Sequence, residues 1–471
     1  MKKTKNGLGI RKWLIFIIVG IAGQFAWCVE NMYLNSYIAY LNFNAPADGK
    51  FDYSLMIALT TAFSAIVATL TTLFMGTLTD KINKRKLFIS LGYIIWGVAT
   101  ASFGLVNVNN ANAIIPISMS ASSAAIMVIV IDCVMTFFGS TSNDAAFNSY
   151  LTINTPEDKR AKVEGVMSIL PLIAMLIIFV GLNSFTTKDA GYRWDLFFYI
   201  IGAIVIVVGI VSLFLIPKEE KSVMPIDNEI KKEKYFSLLI EGFKPSTVKN
   251  NKKLYLGLLA LFIYGVSTQV YFPYLMVYVE KTSGISNTSS GLLSNFAIVM
   301  AVALLIGSLL SVVIGYFADK IGKEKMIIPS VIVLIVGLIM MYFMPYDFGN
   351  DVGKVIYSCF AALIMISGYV GIPTVLNSLV RSNIPKDKEG VFMGVKMLFL
   401  VALPMCIGPF IGDALNKTYD KTYYDDFGIA NTIPSNINYL VAAGILLLII
   451  IPVVFMYLLD KKGKVKNEEA K

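Results

Sequence analysis

Apolar runs of about 18 residues or more recur along the whole chain, each closed by a short polar or charged break. A run of that length crosses a bilayer as one helix. Twelve spans are predicted, at about 13–40, 54–76, 87–106, 122–150, 164–184, 196–216, 254–279, 290–316, 327–345, 353–380, 391–415 and 437–459. Each must be helical, because an unpaired backbone N–H or C=O in hydrocarbon costs several kcal/mol and a helix pairs its own. The short alternating segments of a membrane barrel do not occur. The pattern predicts an all-α membrane protein whose first partner is the lipid bilayer.

Composition sharpens this. Of 471 residues, 56% are hydrophobic and only 15% charged, where a soluble chain carries about 25% charged. A formal charge of +9 raises nucleic acid as a partner, but the placement of the basic residues excludes it. Of 40 lysines and arginines, 32 fall in the two tails and in alternate loops, 7 in the opposite loops, and one, Lys396, inside a span. That bias predicts both termini in the cytoplasm, with the chain multi-pass in the plasma membrane. Lys2 to Lys12 before the first run mimic a signal peptide, but the run is too long and lacks a small-residue cleavage site, so an uncleaved first span is expected. With no histidine, a His relay or His metal site is excluded. Cys28, Cys133, Cys359 and Cys406 sit in apolar runs without metal-binding or redox spacing. No cofactor and no metal are expected.

The chain repeats itself. Gly76-Thr77-Leu78-Thr79-Asp80-Lys81-Ile82-Asn83-Lys84-Arg85-Lys86 returns 239 residues later as Gly315-Tyr316-Phe317-Ala318-Asp319-Lys320-Ile321-Gly322-Lys323-Glu324-Lys325. Asn148-Ser149 through Pro156 to Gly165-Val166 returns at an offset of 229 as Asn377-Ser378 through Pro385 to Gly394-Val395. Three local matches, the third between the first span of each half, imply two pseudo-symmetric six-helix bundles, the usual plan of a secondary transporter. The predicted division is a first bundle at 1–216, a charged linker at 217–253 and a second bundle at 254–471. A chain carrying both bundles is expected to work as a monomer.

The Gly-x-Leu-x-Asp-Lys-x-x-Lys-Arg-Lys stretch between spans 2 and 3 resembles the loop motif of the major facilitator superfamily, and its echo lies between spans 8 and 9. The resemblance implies that family's fold. It also implies a gating latch in which Gly76, Asp80 and Arg85, and then Gly315, Asp319 and Lys323, hold the outward-facing state. Within the superfamily, Asp144-Ala145-Ala146-Phe147-Asn148-Ser149 and Gly394-Val395-Lys396 are similar to segments of the glycoside–pentoside–hexuronide:cation symporters, the melibiose permease-like family. That resemblance implies uptake of a sugar or glycoside by alternating access, coupled to H+ or Na+. The acidic pair that sodium-coupled members carry in helix 2 is missing, since 53–76 holds no acidic residue.

A charge at bilayer depth costs about 2.5–3.5 kcal/mol on the insertion scale, so such residues pair or line a cavity. Glu30, Asp132, Asp144 and Lys396 stand out. Glu30, Asp132 and Asp144 are the candidates for cation or proton coupling, since a carboxyl group held from water can load and release a proton. Asp144 and Lys396 are expected to interact, directly or through substrate. Gln24, Trp27, Asn31 and Asn35 are spaced 3, 4 and 4 and so share a helix face. Ser267, Tyr271, Tyr274 and Tyr278 repeat that kind of spacing around Pro273, which should kink its helix. Gln24, Trp27, Asn31, Asn148, Tyr271, Tyr274 and Lys396 are the candidate substrate-binding residues: amides offer donors and acceptors to hydroxyls, and an indole can stack on a pyranose. Tyr278 lies close enough to the surface to be an interfacial anchor.

The alternative on the same fold is a multidrug or metabolite proton antiporter. Its glycine–proline cluster in helix 5 is not seen, since span 5 has only Gly165, Pro171 and Gly181, far apart. A membrane enzyme would need a nucleophile, metal or phosphate-binding loop, and none is visible.

Overall fold

The structure is a computed structural model. It describes residues 9–46, 49–82, 84–108, 114–115, 119–155, 160–186, 192–217, 244–283, 302, 305–306, 309–310, 314, 320–321, 323–346, 351–383, 395–419, 421–424 and 430–469. The chain divides into two compact units, Met1–Ile226 and Asp227–Lys471.

In the first unit, α1 (Ile10–Cys28) and α2 (Leu34–Phe43) run on through a π turn at Val29–Tyr33. Then come α3 (Tyr53–Ile82), α4 (Arg85–Ser102) and α5 (Ala121–Gly139). A second π turn, Ser140–Phe147, joins α5 to α6 (Asn148–Asn154). The unit closes with α7 (Arg160–Gly181) and α8 (Trp194–Leu215). The second unit begins with α9 (Pro245–Asn250) and α10 (Lys252–Tyr271), and a 3₁₀ turn at Phe272–Tyr274 leads to α11 (Leu275–Thr282). The predicted kink at Pro273 is this turn. After it come α12 (Lys323–Phe343), α13 (Asp351–Asn383) and α14 (Leu403–Thr418), the last preceded by a third π turn at Leu398–Ala402. α15 (Ile437–Leu447) and α16 (Ile450–Glu469) complete it.

Among the described residues, ten helical segments are long and apolar enough to cross a membrane, and Ile169–Gly181 of α7 is a shorter apolar helix. Most of the predicted span at 290–316 lies outside the described residues, as does most of the linker predicted at 217–253. The helices carry large apolar side chains outward. Phe214 is 78% exposed and Phe360 59%. So much bare apolar surface is tolerated only against lipid, which makes this a multi-pass membrane protein.

The two units repeat one packing plan. In the first, α1 rests on α7 and α8, and α4 rests on α5 and α8. In the second, α10 rests on α14 and α15, and α12 rests on α13 and α15. Shifted by six spans, these are the same pairings. α4 and α8 approach closely, so that a Cβ on Gly97 would lie 2.7 Å from the Gly202 carbonyl oxygen. Lipid gives apolar helices no hydrophobic reason to associate, so such backbone contact between small residues carries the packing.

Two expectations change. The charged stretch after Gly76 is not a loop throughout: α3 continues to Ile82, and only residues 83–84 separate it from α4. Leu78, Thr79 and Ile82 extend the helical pattern past the apolar run, because a helix can leave the bilayer without ending. The connection between α14 and α15 adds a two-stranded antiparallel ribbon, β1 (Lys421–Tyr424) with β2 (Ala430–Ile433), Lys421 opposite Ile433. Its threonines, tyrosines and isoleucine favour extended backbone where the chain has left the membrane helices.

Candidate functional site

The first unit gathers its buried polar groups around Glu30. Glu30 sits in the first π turn, where hydrogen bonds skip to the fifth residue and one side chain is re-aimed. It is 9% exposed. The Ser64 hydroxyl on α3 donates to one carboxylate oxygen. The Thr136 hydroxyl on α5 donates to the other at 3.1 Å, and the two hydroxyls lie 3.1 Å apart. Three elements thus meet on one carboxylate. Asp132 precedes Thr136 by one turn of α5. It is 1% exposed, and neither of its oxygens has a hydrogen-bond partner.

A second cluster lies around the other long π turn. The Tyr93 hydroxyl of α4 is 3.0 Å from both the Val19 carbonyl and Asn143 Oδ1. Asn143 Nδ2 in turn donates to Asp144 Oδ1 at 3.2 Å. Gly23 leaves room for this, since a Cβ there would stand 2.8 Å from the tyrosine hydroxyl. Asp144 is half-buried, and Asn148, one turn on, is exposed. At the start of α4, Arg85 donates from Nε to the Ser149 hydroxyl at 2.9 Å, tying the basic motif to the start of α6, just past the π segment.

The face of α1 carries Gln24 and Trp27 half-exposed and Asn31 exposed. Trp27 packs on Trp96, ring centres 5.1 Å apart, and Trp96 packs on Tyr93 at 5.3 Å. Asn31 donates to its own helix, to the Trp27 carbonyl at 2.8 Å. The expected stripe ends there, because Asn35 is buried at 4% exposure. The π turn between them adds a residue to the turn and rotates the helix beyond it off the face that regular spacing predicts.

In the second unit, Tyr271 and Tyr274 are not on an open face. Each is 1% exposed. Tyr274 donates to the Pro409 carbonyl at 2.8 Å, and Tyr271 packs on Tyr439 with ring centres 5.2 Å apart. Tyr278 is not a surface anchor, being 1% exposed and donating to the Met341 carbonyl at 2.7 Å. The segment holding these rings packs against α12, α14 and α15, which the 3–4 spacing alone does not reveal. Lys396 is half-buried immediately before the third π turn.

Of the motif residues, Gly76 lies inside α3, and a Cβ there would meet nothing within 4 Å. Asp80 belongs to the last turns of α3, and Lys323 opens α12. Gly315 and Asp319 lie outside the described residues. No group of three potential metal ligands occurs among the described residues.

Regular spacing missed the π turns. Each lies at or beside a charged candidate: Glu30, Asp144 and Lys396. For the second, the polar run Ser140-Thr141-Ser142-Asn143 inside an apolar span is a visible sign.

A polytopic helical protein that hides carboxylates and amides inside a bundle, while showing lipid an apolar coat, has the make-up of a membrane transporter. The chain belongs to the Major Facilitator Superfamily, whose sequence profile matches residues 9–409. Its fold is that of solved transporters at low identity. A point variant of the nucleoside transporter NupG superposes with a TM-score of 0.67 at 14% identity, covering 94% of this chain and 100% of that one. A bacterial homologue of the human lysosomal transporter Spinster, inward-facing and unoccupied, gives 0.63 at 13%, covering 96% and 97%. The xylose transporter XylE from E. coli, partially occluded and inward open, gives 0.62 at 13%, covering 94% and 98%. No curated protein sequence matches the chain at a significant level.

Proposed function

We propose that this transporter takes up a small hydroxyl-rich solute, a sugar or glycoside, together with a proton. The observation that carries the solute class is the face of α1. Trp27 offers an aromatic surface beside Gln24 and Asn31, and the Asn31 amide is tied to its own backbone rather than to another helix. Amides of this kind give and accept hydrogen bonds with hydroxyls, and an indole covers the apolar face of a sugar ring. Two structural neighbours are transporters named for xylose and for nucleosides, both ring compounds rich in hydroxyls. The absence of an acidic residue from 53–76 favours the proton over sodium. The lysine and arginine bias supports cytoplasmic termini in a plasma membrane.

The test is uptake into proteoliposomes of a radiolabelled panel of monosaccharides, disaccharides and glycosides. It is run with an imposed pH gradient, an imposed sodium gradient, or neither. Accumulation of a sugar under the pH gradient, lowered by Trp27→Ala, is expected. Extrusion of lipophilic dyes with no sugar accumulated would reverse the reading in favour of an antiporter.

A further inference from the structure

Glu30 and Asp132 share the interior of the first unit, and their surroundings differ. Glu30 receives one hydroxyl on each oxygen, from Ser64 and Thr136. Asp132, one turn from Thr136 on the same face of α5, receives none. An ionised carboxylate buried without partners costs several kcal/mol, while the protonated acid costs much less. Of these two carboxyls, the clamped one keeps the negative charge and the bare one keeps the proton.

We propose that Asp132 is the proton-carrying site of this transporter and that Glu30, held by Ser64 and Thr136, is its ionised counter-group. The word carrying rests on the transport reading above; the occupancy of Asp132 by a proton does not. The carboxylate on the neighbouring element is Glu30, held by Thr136 one turn along α5 from Asp132. On α4, Arg85 is engaged with Ser149 and Tyr93 with Asn143, while Lys86 sits in the first turn of the helix. On α2, Tyr37 donates to the Val106 carbonyl and Tyr40 packs at a tilt on Tyr192. On α5 itself Cys133 is adjacent, half-buried and free. α3 contributes hydroxyls along this stretch, Ser64 among them.

The cycle balances simply. A proton from water forms an O–H bond with one Asp132 oxygen. On release that bond breaks, the electron pair stays on the carboxylate, and the proton returns to water. The bare carboxylate then needs a donor, and Thr136, its i+4 neighbour, is placed to turn its hydroxyl from Glu30 to Asp132. Thr136 is the positioning residue that couples the two states.

The experiment needs no known solute. Purified protein in lipid nanodiscs is studied by infrared spectroscopy in H2O and D2O near neutral pH, reading the C=O stretch of protonated carboxylic acids. A deuterium-sensitive band is expected in the native protein, lost in Asp132→Asn, retained in Glu30→Gln and moved but not lost in Asp132→Glu. Survival of the band in Asp132→Asn overturns the proposal, as does its loss in Glu30→Gln. Loss of the native band on adding sodium at constant pH also overturns it, making Asp132 a metal-cation ligand. Should the band behave as expected while no monosaccharide, disaccharide or glycoside of the uptake panel is accumulated under a pH gradient, the proton site stands and the solute reading falls.

Discussion

The clamp on Glu30 makes an energetic prediction that separates a charged group from a neutral one. Ser64→Ala removes the donor to one oxygen and Thr136→Val the donor at 3.1 Å to the other, each with little change of shape. Ser64 and Thr136 are 2% and 0% exposed, so water does not replace the lost donors. A hydrogen bond to a charged group contributes about 1.5–3 kcal/mol, whereas an average interhelical hydrogen bond in a membrane protein contributes about 0.6 kcal/mol. If Glu30 is ionised, each substitution shifts the unfolding constant by on the order of 10- to 100-fold. Both together approach the roughly 3–5 kcal/mol of stranding a buried charge. In a Glu30→Gln background the acceptor is neutral, and each cost falls to about 0.6 kcal/mol. Equilibrium unfolding in mixed micelles, run as a double-mutant cycle, measures the difference. If each cost is the same in both backgrounds, to within about 0.5 kcal/mol, the clamp holds no charge and the assignment of charges to Glu30 and Asp132 loses its basis.

Three further outcomes are expected. Gly202→Val forces a branched side chain into a position where even a Cβ would lie 2.6 Å from the Gly97 carbonyl oxygen. Overpacking of this kind costs typically about 1–3 kcal/mol or more, so thermal unfolding in detergent should fall, while the same change at Gly76, which faces open space, should cost no more than its effect on the helix. Tyr274→Phe loses the hydrogen bond to Pro409, and should lower stability by about 1 kcal/mol while leaving the half-saturating solute concentration unchanged in uptake assays. Arg193→Lys replaces a two-pronged contact, Nε and Nη2 each 3.0 Å from Asp195, with a single one. Asp195 also accepts from the Ile114 backbone, so amide exchange at 114 and at the start of α8 should quicken.

The fold was legible wherever one rule sufficed. Runs of apolar residues specify membrane helices because hydrocarbon leaves the backbone no alternative, and among the described residues ten of these spans are helices long and apolar enough to cross, with α7 at an eleventh. Pro273 foretold its turn for the same local reason. The site was less legible. The spacing of Ser267, Tyr271, Tyr274 and Tyr278 says they share a face, but the identity of the neighbour decides whether that face is open, and here Tyr439, Pro409 and Met341 cover it. Gln24, Trp27 and Asn31 are where regular spacing puts them, whereas Asn35, beyond the π turn, is not.

That last difference ties the polar groups to the backbone. An α-helix presents a fixed face, so a carboxylate placed on it by spacing meets whatever its neighbours offer. A π turn frees one residue from that constraint. Glu30 lies within such a turn and finds a hydroxyl on each oxygen, while Asp132, on regular α-helix, finds none. The contrast between a clamped and a bare carboxyl is therefore built into the backbone of spans 1 and 4, rather than being an accident of side-chain choice. Straightening the turn at Val29–Tyr33, by deleting one residue from it, should then strip Glu30 of its donors and damage proton coupling as severely as replacing Glu30. A deletion variant that folds and still accumulates solute under a pH gradient would show that the turn does not serve this purpose.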